Sequence, residues 1–317
     1  MPFFSVIIPL YNKAPYVAKT IESVLRQTFS DYELMVIDNG STDESSDIVA
    51  KYSDPRLRIH RIEENAGVSN ARNKGVELTS APYITFLDAD DWWEPSFLEE
   101  MARLIEKHPS AGIYGSGYYI VKNGKKRVAP IGVDEEFTEG EINYCQVYAK
   151  TLCMPLTSIS VCLPRAVFVE TGGFPSAIKV GEDFLLWIQV ASKFSTVFLN
   201  KPLCNYNQDV DPTYRATKQL PPPDKHMLWH LDDIEAIDED HKKLIDSLRT
   251  YGLMPYLLNH HYRSRAQQEL AKVDWGKQPS KIQRLYRKPI AYLIFRDWLQ
   301  KLASRVKQKL AKTHSSS

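Results

Sequence analysis

Acidic residues gather in this sequence at places where chain segments end. Asp88-Ala89-Asp90-Asp91 follows the apolar run YITFL, Asp38 precedes Asn39-Gly40-Ser41, and Glu182-Asp183 opens the stretch EDFLLW. Two carboxylates at i and i+2 around a turn can converge on a hard cation. Mg2+ or Mn2+ accepts one or two protein carboxylates, keeps waters, and takes its other oxygens from a substrate diphosphate. Such an ion neutralises charge building on a leaving group. An Asp-x-Asp in a surface turn more often only caps the next helix, and acids at a helix start are favoured by the helix dipole without any chemistry. The triplet rises above that reading through its place: it ends a hydrophobic strand, and Trp92, Trp93 and Pro95 follow to hold the turn.

The elements that must position these residues read as βαβ units. Short runs rich in β-branched residues at 5–9, 33–38, 57–61 and 83–87 alternate with segments of helical period at 16–27, 41–52, 68–78 and 95–107. The fold class expected is α/β, a mostly parallel Rossmann-like sheet flanked by helices. Ligands of such sheets sit beyond the carboxyl ends of the strands. Chemistry is therefore expected at Pro9-Leu10-Tyr11-Asn12, at Asp38-Asn39-Gly40-Ser41 and at the Asp88 triplet. Further strands are expected around 112–122, with a turn at Asn123-Gly124, and at 157–163, followed by a helix over 182–192. Pro221-Pro222-Pro223 reads as a stiff spacer, and the composition beyond it is helical. Two parts are expected: a catalytic domain over 1–212 and a helical region over 213–317.

Taken in order, SVIIPLYN, VIDNGSTD, ENAGVSNARNKG, FLDADD, TGGF and GEDFLLW resemble glycosyltransferase family 2, the inverting transferases of GT-A fold, across residues 3–210. The resemblance implies that Asp38 hydrogen-bonds the base of a nucleotide, with Tyr11 and the main chain near Pro9 completing that pocket. It puts Arg72 within reach of the base or phosphates, Asp88 on the ribose side and Asp90 on Mn2+ or Mg2+, with Asp91 left to support or cap the turn. Asp183 becomes the general base that deprotonates the acceptor hydroxyl on the face away from the diphosphate. Glu182, Gly173 and Phe174 fall on the acceptor side, and Phe174, Trp92 and Trp187 could offer faces to a sugar ring. The implied partners are a nucleotide-sugar donor, a UDP-sugar first, and a hydroxyl of a glycan or lipid-linked glycan in surface polysaccharide synthesis.

One departure stands out. Family members often carry Tyr-Arg-x-His after the last strand, where this chain reads Tyr206-Asn207-Gln208-Asp209, so the third metal ligand is open between Asp209, Asp211 and water. A nucleotidyltransferase would need a Gly-rich basic loop after the first strand, which Pro9-Leu10-Tyr11-Asn12 does not supply. A rival of another class stays open: a catalytically inactive nucleotide-sugar-binding or membrane-associated scaffold.

With 317 residues, 43% hydrophobic and 25% charged, the composition excludes bulk disorder and the integral membrane class. Cys145, Cys153, Cys162 and Cys204 form no CxxC pair, the start MPFFSVIIPL lacks a basic leader, and no apolar run approaches the ~20 residues of a membrane span. A cytoplasmic location is expected. The near-neutral total hides an asymmetry, because eleven Lys and Arg from Lys277 onward face one acid, Asp297, leaving the remainder net acidic. Phe295, Leu299, Leu302, Val306 and Leu310 lay an apolar stripe through this basic stretch. A basic amphipathic helix of that kind suits an anionic membrane surface, here the inner face of the cell membrane. It equally suits docking on the acidic catalytic domain. Nucleic acid is disfavoured, since no aromatic platform accompanies the charge.

Overall fold

In the computed structural model, described for residues 1–214, 220–234, 238–297 and 299, the first strand is β1 (Phe4–Leu10). All seven of its residues are buried, as befits a strand covered on both faces in the middle of a parallel sheet. The chain continues through α1 (Val17–Leu25), β2 (Tyr32–Asn39), α2 (Ser45–Ala50), β3 (Leu57–Ile62), α3 (Val68–Glu77) and β4 (Tyr83–Phe86). These are the expected βαβ units. Val17, Thr20, Ile21 and Val24 form the buried face of α1, and each fully buried aliphatic side chain of this kind contributes about 1.5–3 kcal/mol.

Next come β5 (Trp92–Trp93), α4 (Phe97–Lys107), β6 (Ile113–Lys122), β7 (Lys125–Val128), β8 (Glu139–Ile142) and α5 (Tyr144–Thr151). They are followed by β9 (Val161–Pro164), α6 (Arg165–Glu170), α7 (Glu182–Ala191) and β10 (Thr196–Asn207). The sheet runs β3-β2-β1-β4-β9-β6-β10-β5. Its β3-β2-β1-β4 half is parallel, and β6 and β10 also run parallel to each other, while β9 enters antiparallel between β4 and β6. The short β5 pairs antiparallel with β10 through Cys204 opposite Trp93 and Asn205 opposite Trp92, which fastens the turn after the acidic triplet. The strand expected from 157 begins instead at Val161. Thr157 and Ser160 form a capping box there that winds residues 158–160 into a 3-10 turn.

Two units divide the chain, Met1–Leu244 and Ile245–Ser317. The first extends past the proline spacer: Lys179 N donates to Lys225 O at 2.8 Å, and Val180 bridges to His226. Helices α8 (Glu239–Gly252), α9 (Met254–Leu258), α10 (Arg263–Ala271) and α11 (Ser280–Tyr286) follow, and residues 290–297 are again helical. Within the second unit Leu253, Tyr256, Leu257, Ala266 and Leu270 are buried, and Tyr286 Oη donates to Thr250 O at 2.5 Å. Leu302, Val306 and Leu310 of the apolar stripe lie outside the described residues. Among the described residues no helix is long and apolar enough to cross a membrane.

Candidate active site

The loops after β1, β2 and β3 are stitched together by side chains. Asn12, held at a left-handed φ of 48°, donates its N–H to Ser41 Oγ at 3.1 Å and accepts from Thr42 N through Oδ1 at 2.8 Å. Pro9 is buried in register with Ile37, and Tyr11 projects, 40% exposed. Asp38 is fully buried: Oδ1 accepts from Ser41 N at 2.9 Å, while Oδ2 accepts from Ser46 Oγ and lies 3.3 Å from Arg61 Nη1. Asn39 reaches across to the loop after β3, donating to Asn65 Oδ1 at 3.0 Å and accepting from Ala66 N at 3.0 Å. Gly40 makes this clasp possible, because at φ +78° a Cβ would come within 3.0 Å of Asn65 N and 3.1 Å of Glu64 C, both backbone. Gly40→Ala is therefore expected to cost about 1–2 kcal/mol from the left-handed backbone alone. It should also lift the 63–67 loop off Asn39, and thermal unfolding reads the combined loss of stability.

The three acids after β4 have three different surroundings. Asp88 accepts from Arg72 Nη2 at 2.6 Å, and Asp90 from Lys13 Nζ at 2.5 Å. Asp91 is buried, its Oδ1 accepting from Asn207 N at 2.7 Å, and Asn207 Nδ2 donates to Asp90 O at 3.1 Å. Asp91 thus ties the turn to the end of β10. Burial raises the Asp90 carboxyl above its ordinary range even against the pull of Lys13. Burial, then the neighbouring Asp90 and Asp88, hold Asp91 far higher.

Arg72 on α3 joins these acids to the pair on α7. Its guanidinium is buried, with Nη2 on Asp88 and Nη1 donating to Glu182 Oε1 at 3.0 Å. Burial alone would lower its pKa, yet Asp88, Glu182 and Asp183 together raise it above the ordinary value. The resemblance puts Arg72 at the base or phosphates; here both terminal nitrogens orient carboxylates. Asp183 accepts from Ser158 Oγ at 3.0 Å and from Phe184 N at 3.0 Å, and burial lifts it above the usual range although Arg72 and Ser158 oppose the shift. Burial and the adjacent Asp183 push Glu182 up to about 7 despite Arg72.

Gly173 and Phe174, expected beside the acceptor, are structural. Asn73 pins both faces of the Phe174 backbone, accepting from its N at 3.0 Å and donating to its O at 2.9 Å. The Phe174 ring is 1% exposed among Phe86, Phe168 and Trp187, with the Arg72 guanidinium carbon 5.0 Å from its centroid. At Gly173, φ +70°, a Cβ would meet the Phe168 ring at 2.9 Å. Trp187 is fully buried, and Lys19 Nζ covers one face of Trp92 at 3.0 Å from its centroid. Neither Phe174 nor Trp187 offers the open face a sugar would need. Asp209 is likewise committed elsewhere: it accepts from Asn123 N at 2.6 Å and Gly124 N at 2.8 Å, capping the β6–β7 turn, while Asp211 Oδ1 accepts from Thr213 N at 2.8 Å.

Sequence reasoning missed Lys13, Ser158, Asn207 and Tyr206. Strand alternation at the end of β10 sets Asn207 and Tyr206 on opposite faces. Burial and then the field of Asp91, Asp88, Asp90 and Asp183 push the partly exposed Tyr206 phenol up to about 12.

Among the described residues no cluster of three or more His, Cys, Asp or Glu forms a metal cage. An ion that takes its remaining oxygens from a diphosphate and water does not need one. Asp90 is partly exposed, its donor atoms are hard oxygens, and the Lys13 ammonium already stands on it as a cation. The residues fit Mg2+ or Mn2+ held by Asp90 with donor oxygens.

The pattern described as Glycosyl transferase family 2 matches residues 5–157. The putative teichuronic acid biosynthesis glycosyltransferase TuaG of Bacillus subtilis is 30% identical over 209 residues, covering 65% of this chain and 79% of its own. This chain belongs to glycosyltransferase family 2. An uncharacterized glycosyltransferase of Rickettsia felis is 32% identical over 200 residues, 63% of this chain, and the chain spans only 32% of that relative's length. For the Streptococcus pneumoniae glycosyltransferase GlyA, 40% identical over 116 residues and 36% of this chain, the share is 16%. The crystal structure of S. aureus TarS 1-349 in complex with UDP superposes with a TM-score of 0.57 at 22% identity, covering 86% of this chain and 70% of that one. At that identity the likeness establishes the fold, and the fold is the GT-A arrangement the family resemblance implies.

Proposed function

We propose that the chain is a metal-dependent, inverting glycosyltransferase that moves a sugar from a UDP-sugar to a hydroxyl of a glycan or glycolipid in surface polysaccharide synthesis. One arrangement carries this reading: Arg72 joins Asp88, at the end of β4, to Glu182 and thereby to Asp183, at the start of α7. In this reading the acid assigned to the donor side and the neighbour of the assigned base share one buried guanidinium, which supports a single site. TuaG supports the polysaccharide assignment by its name, and TarS, solved with UDP and with UDP-GlcNAc, supports a UDP-sugar donor.

In this reading Asp38, Tyr11 and the main chain near Pro9 receive the base, and Asp88 meets the ribose. Mg2+ or Mn2+ on Asp90, when bound, neutralises charge on the departing diphosphate. Asp183 takes the proton of the acceptor hydroxyl as its oxygen bonds the anomeric carbon and the bond from that carbon to the diphosphate oxygen breaks. The sugar leaves inverted, and UDP is released.

Thermal unfolding against a panel of nucleotide sugars tests the assignment. Protection by UDP-sugars is expected, about 2.7 kcal/mol at a hundredfold excess over Kd. It should be lost in chelator and in Asp90→Asn. Protection undiminished by chelator removes the metal from the reading; protection without transfer to any acceptor favours the inactive scaffold.

A further inference from the structure

Lys13 lies two residues past Tyr11, and neither the motifs nor the proposed reaction uses it. Its backbone is fixed: Lys13 N donates to Ser45 Oγ at 2.8 Å, and the flanking Asn12 and Ala14 amides donate to Ser41 Oγ and Asp43 Oδ2, both at 3.1 Å. From that anchored turn the side chain runs inward, only 16% exposed, to place Nζ 2.5 Å from Asp90 Oδ2 and 2.8 Å from the carbonyl oxygen of Tyr214. Tyr214 is itself held near Lys13, its ring edge-on to Tyr16 at 5.8 Å, and Tyr16 Oη accepts from Asp211 N at 3.0 Å. A cation set between a carboxylate and a carbonyl oxygen has the surroundings that a hard metal ion seeks.

We propose that Lys13 is a built-in counter-cation that occupies the metal position at Asp90 until a nucleotide diphosphate arrives. The inference rests on the metal reading of Asp90. The physical reason is charge. Lys13 Nζ stands at contact distance from the Asp90 carboxylate, so a divalent ion entering alone meets an ammonium there and brings no new anion to offset the repulsion. A diphosphate supplies that anion. It draws the ammonium onto its own oxygens and leaves Asp90 to the ion, so metal and nucleotide bind with positive coupling, each tightening the other by the same factor. Lys13 is thereby a positioning residue that makes the metal site conditional on donor, and its departure from Asp90 also releases the Tyr214 carbonyl.

Mn2+ binding, followed by the EPR signal of the free ion, tests this on the full chain with and without UDP. Wild type should bind Mn2+ weakly alone and at least tenfold more tightly with saturating UDP. Lys13→Met should bind Mn2+ without UDP about tenfold more tightly than wild type, and its gain from UDP should shrink to what direct ligation by the diphosphate supplies. Lys13→Arg, which keeps the charge, should stay as weak as wild type without UDP; an unchanged melting temperature in both variants confirms that they fold. A Lys13→Met protein whose Mn2+ affinity without UDP equals that of wild type overturns the inference. Failure of the underlying reading looks different: wild type would bind UDP yet show no Mn2+ site that Asp90→Asn removes.

Discussion

Asp183→Asn is expected to lower kcat by about 10²–10⁴-fold, the usual contribution of a positioned general base, while leaving UDP protection intact. The substitution is well suited to the site. Asparagine keeps the shape and can still accept from Phe184 N, and its amide can donate to the Ser158 hydroxyl that now donates to Asp183. The fold should survive, since a neutral side chain replaces a carboxylate that burial already disfavours in its charged form. The pH profile offers a second reading of the same role. A base works when deprotonated, and the Asp183 pKa is raised, so wild-type activity should fall on the acid side at a higher pH than an ordinary carboxylate would give. Residual activity in Asp183→Asn should lose that limb. Wild-type turnover in the variant would remove Asp183 from the chemistry.

Arg72→Met should have the largest effect on stability. It removes the cation shared by Asp88 and Glu182 and leaves both carboxylates without their closest counter-charge. Breaking one side of a buried ion pair costs about 3–5 kcal/mol. The cost depends on pH with a definite sign. Burial raises Glu182 from 4.5 to about 7, so the folded protein holds a proton there that the unfolded chain has released, and this group's contribution to stability declines as pH rises through that window. Without Arg72, which pulls the Glu182 pKa down, the decline should reach further. Urea unfolding should therefore show the variant most impaired near pH 8 and partly recovered near pH 6, where a protonated Glu182 needs no partner. Equal destabilisation at both values would mean that Arg72 acts through packing on Phe174 rather than through charge.

These predictions depend on very different amounts of what the chain itself spells out. The alternation of β-branched runs with helical segments is local, and so β1 to β4 and their helices fall close to where periodicity puts them. The Asn123-Gly124 turn follows from backbone preference alone, with φ at 52° and 68°. Strand ends are equally local signals, which is why Asp38 and the Asp88 triplet stood out as candidates. Aromatic roles were not: whether Phe174 or Trp187 faces a ligand or the core depends on what covers it, and Phe86, far away along the chain, joins Phe168 and Trp187 in closing over Phe174.

The sequence by itself determined the α/β class, the family through its ordered motifs, and which acids stand at strand and helix ends, because those properties need only neighbours along the chain. Tertiary structure decided how the acids are partnered. Arg72 and Glu182 are 110 positions apart, Asp91 and Asn207 are 116, and Lys13 and Asp90 are 77. No periodicity reports pairings at such separations, since they exist only once the sheet brings those loops to one edge. The partners, in turn, fix which carboxylate is buried and which stands against a cation.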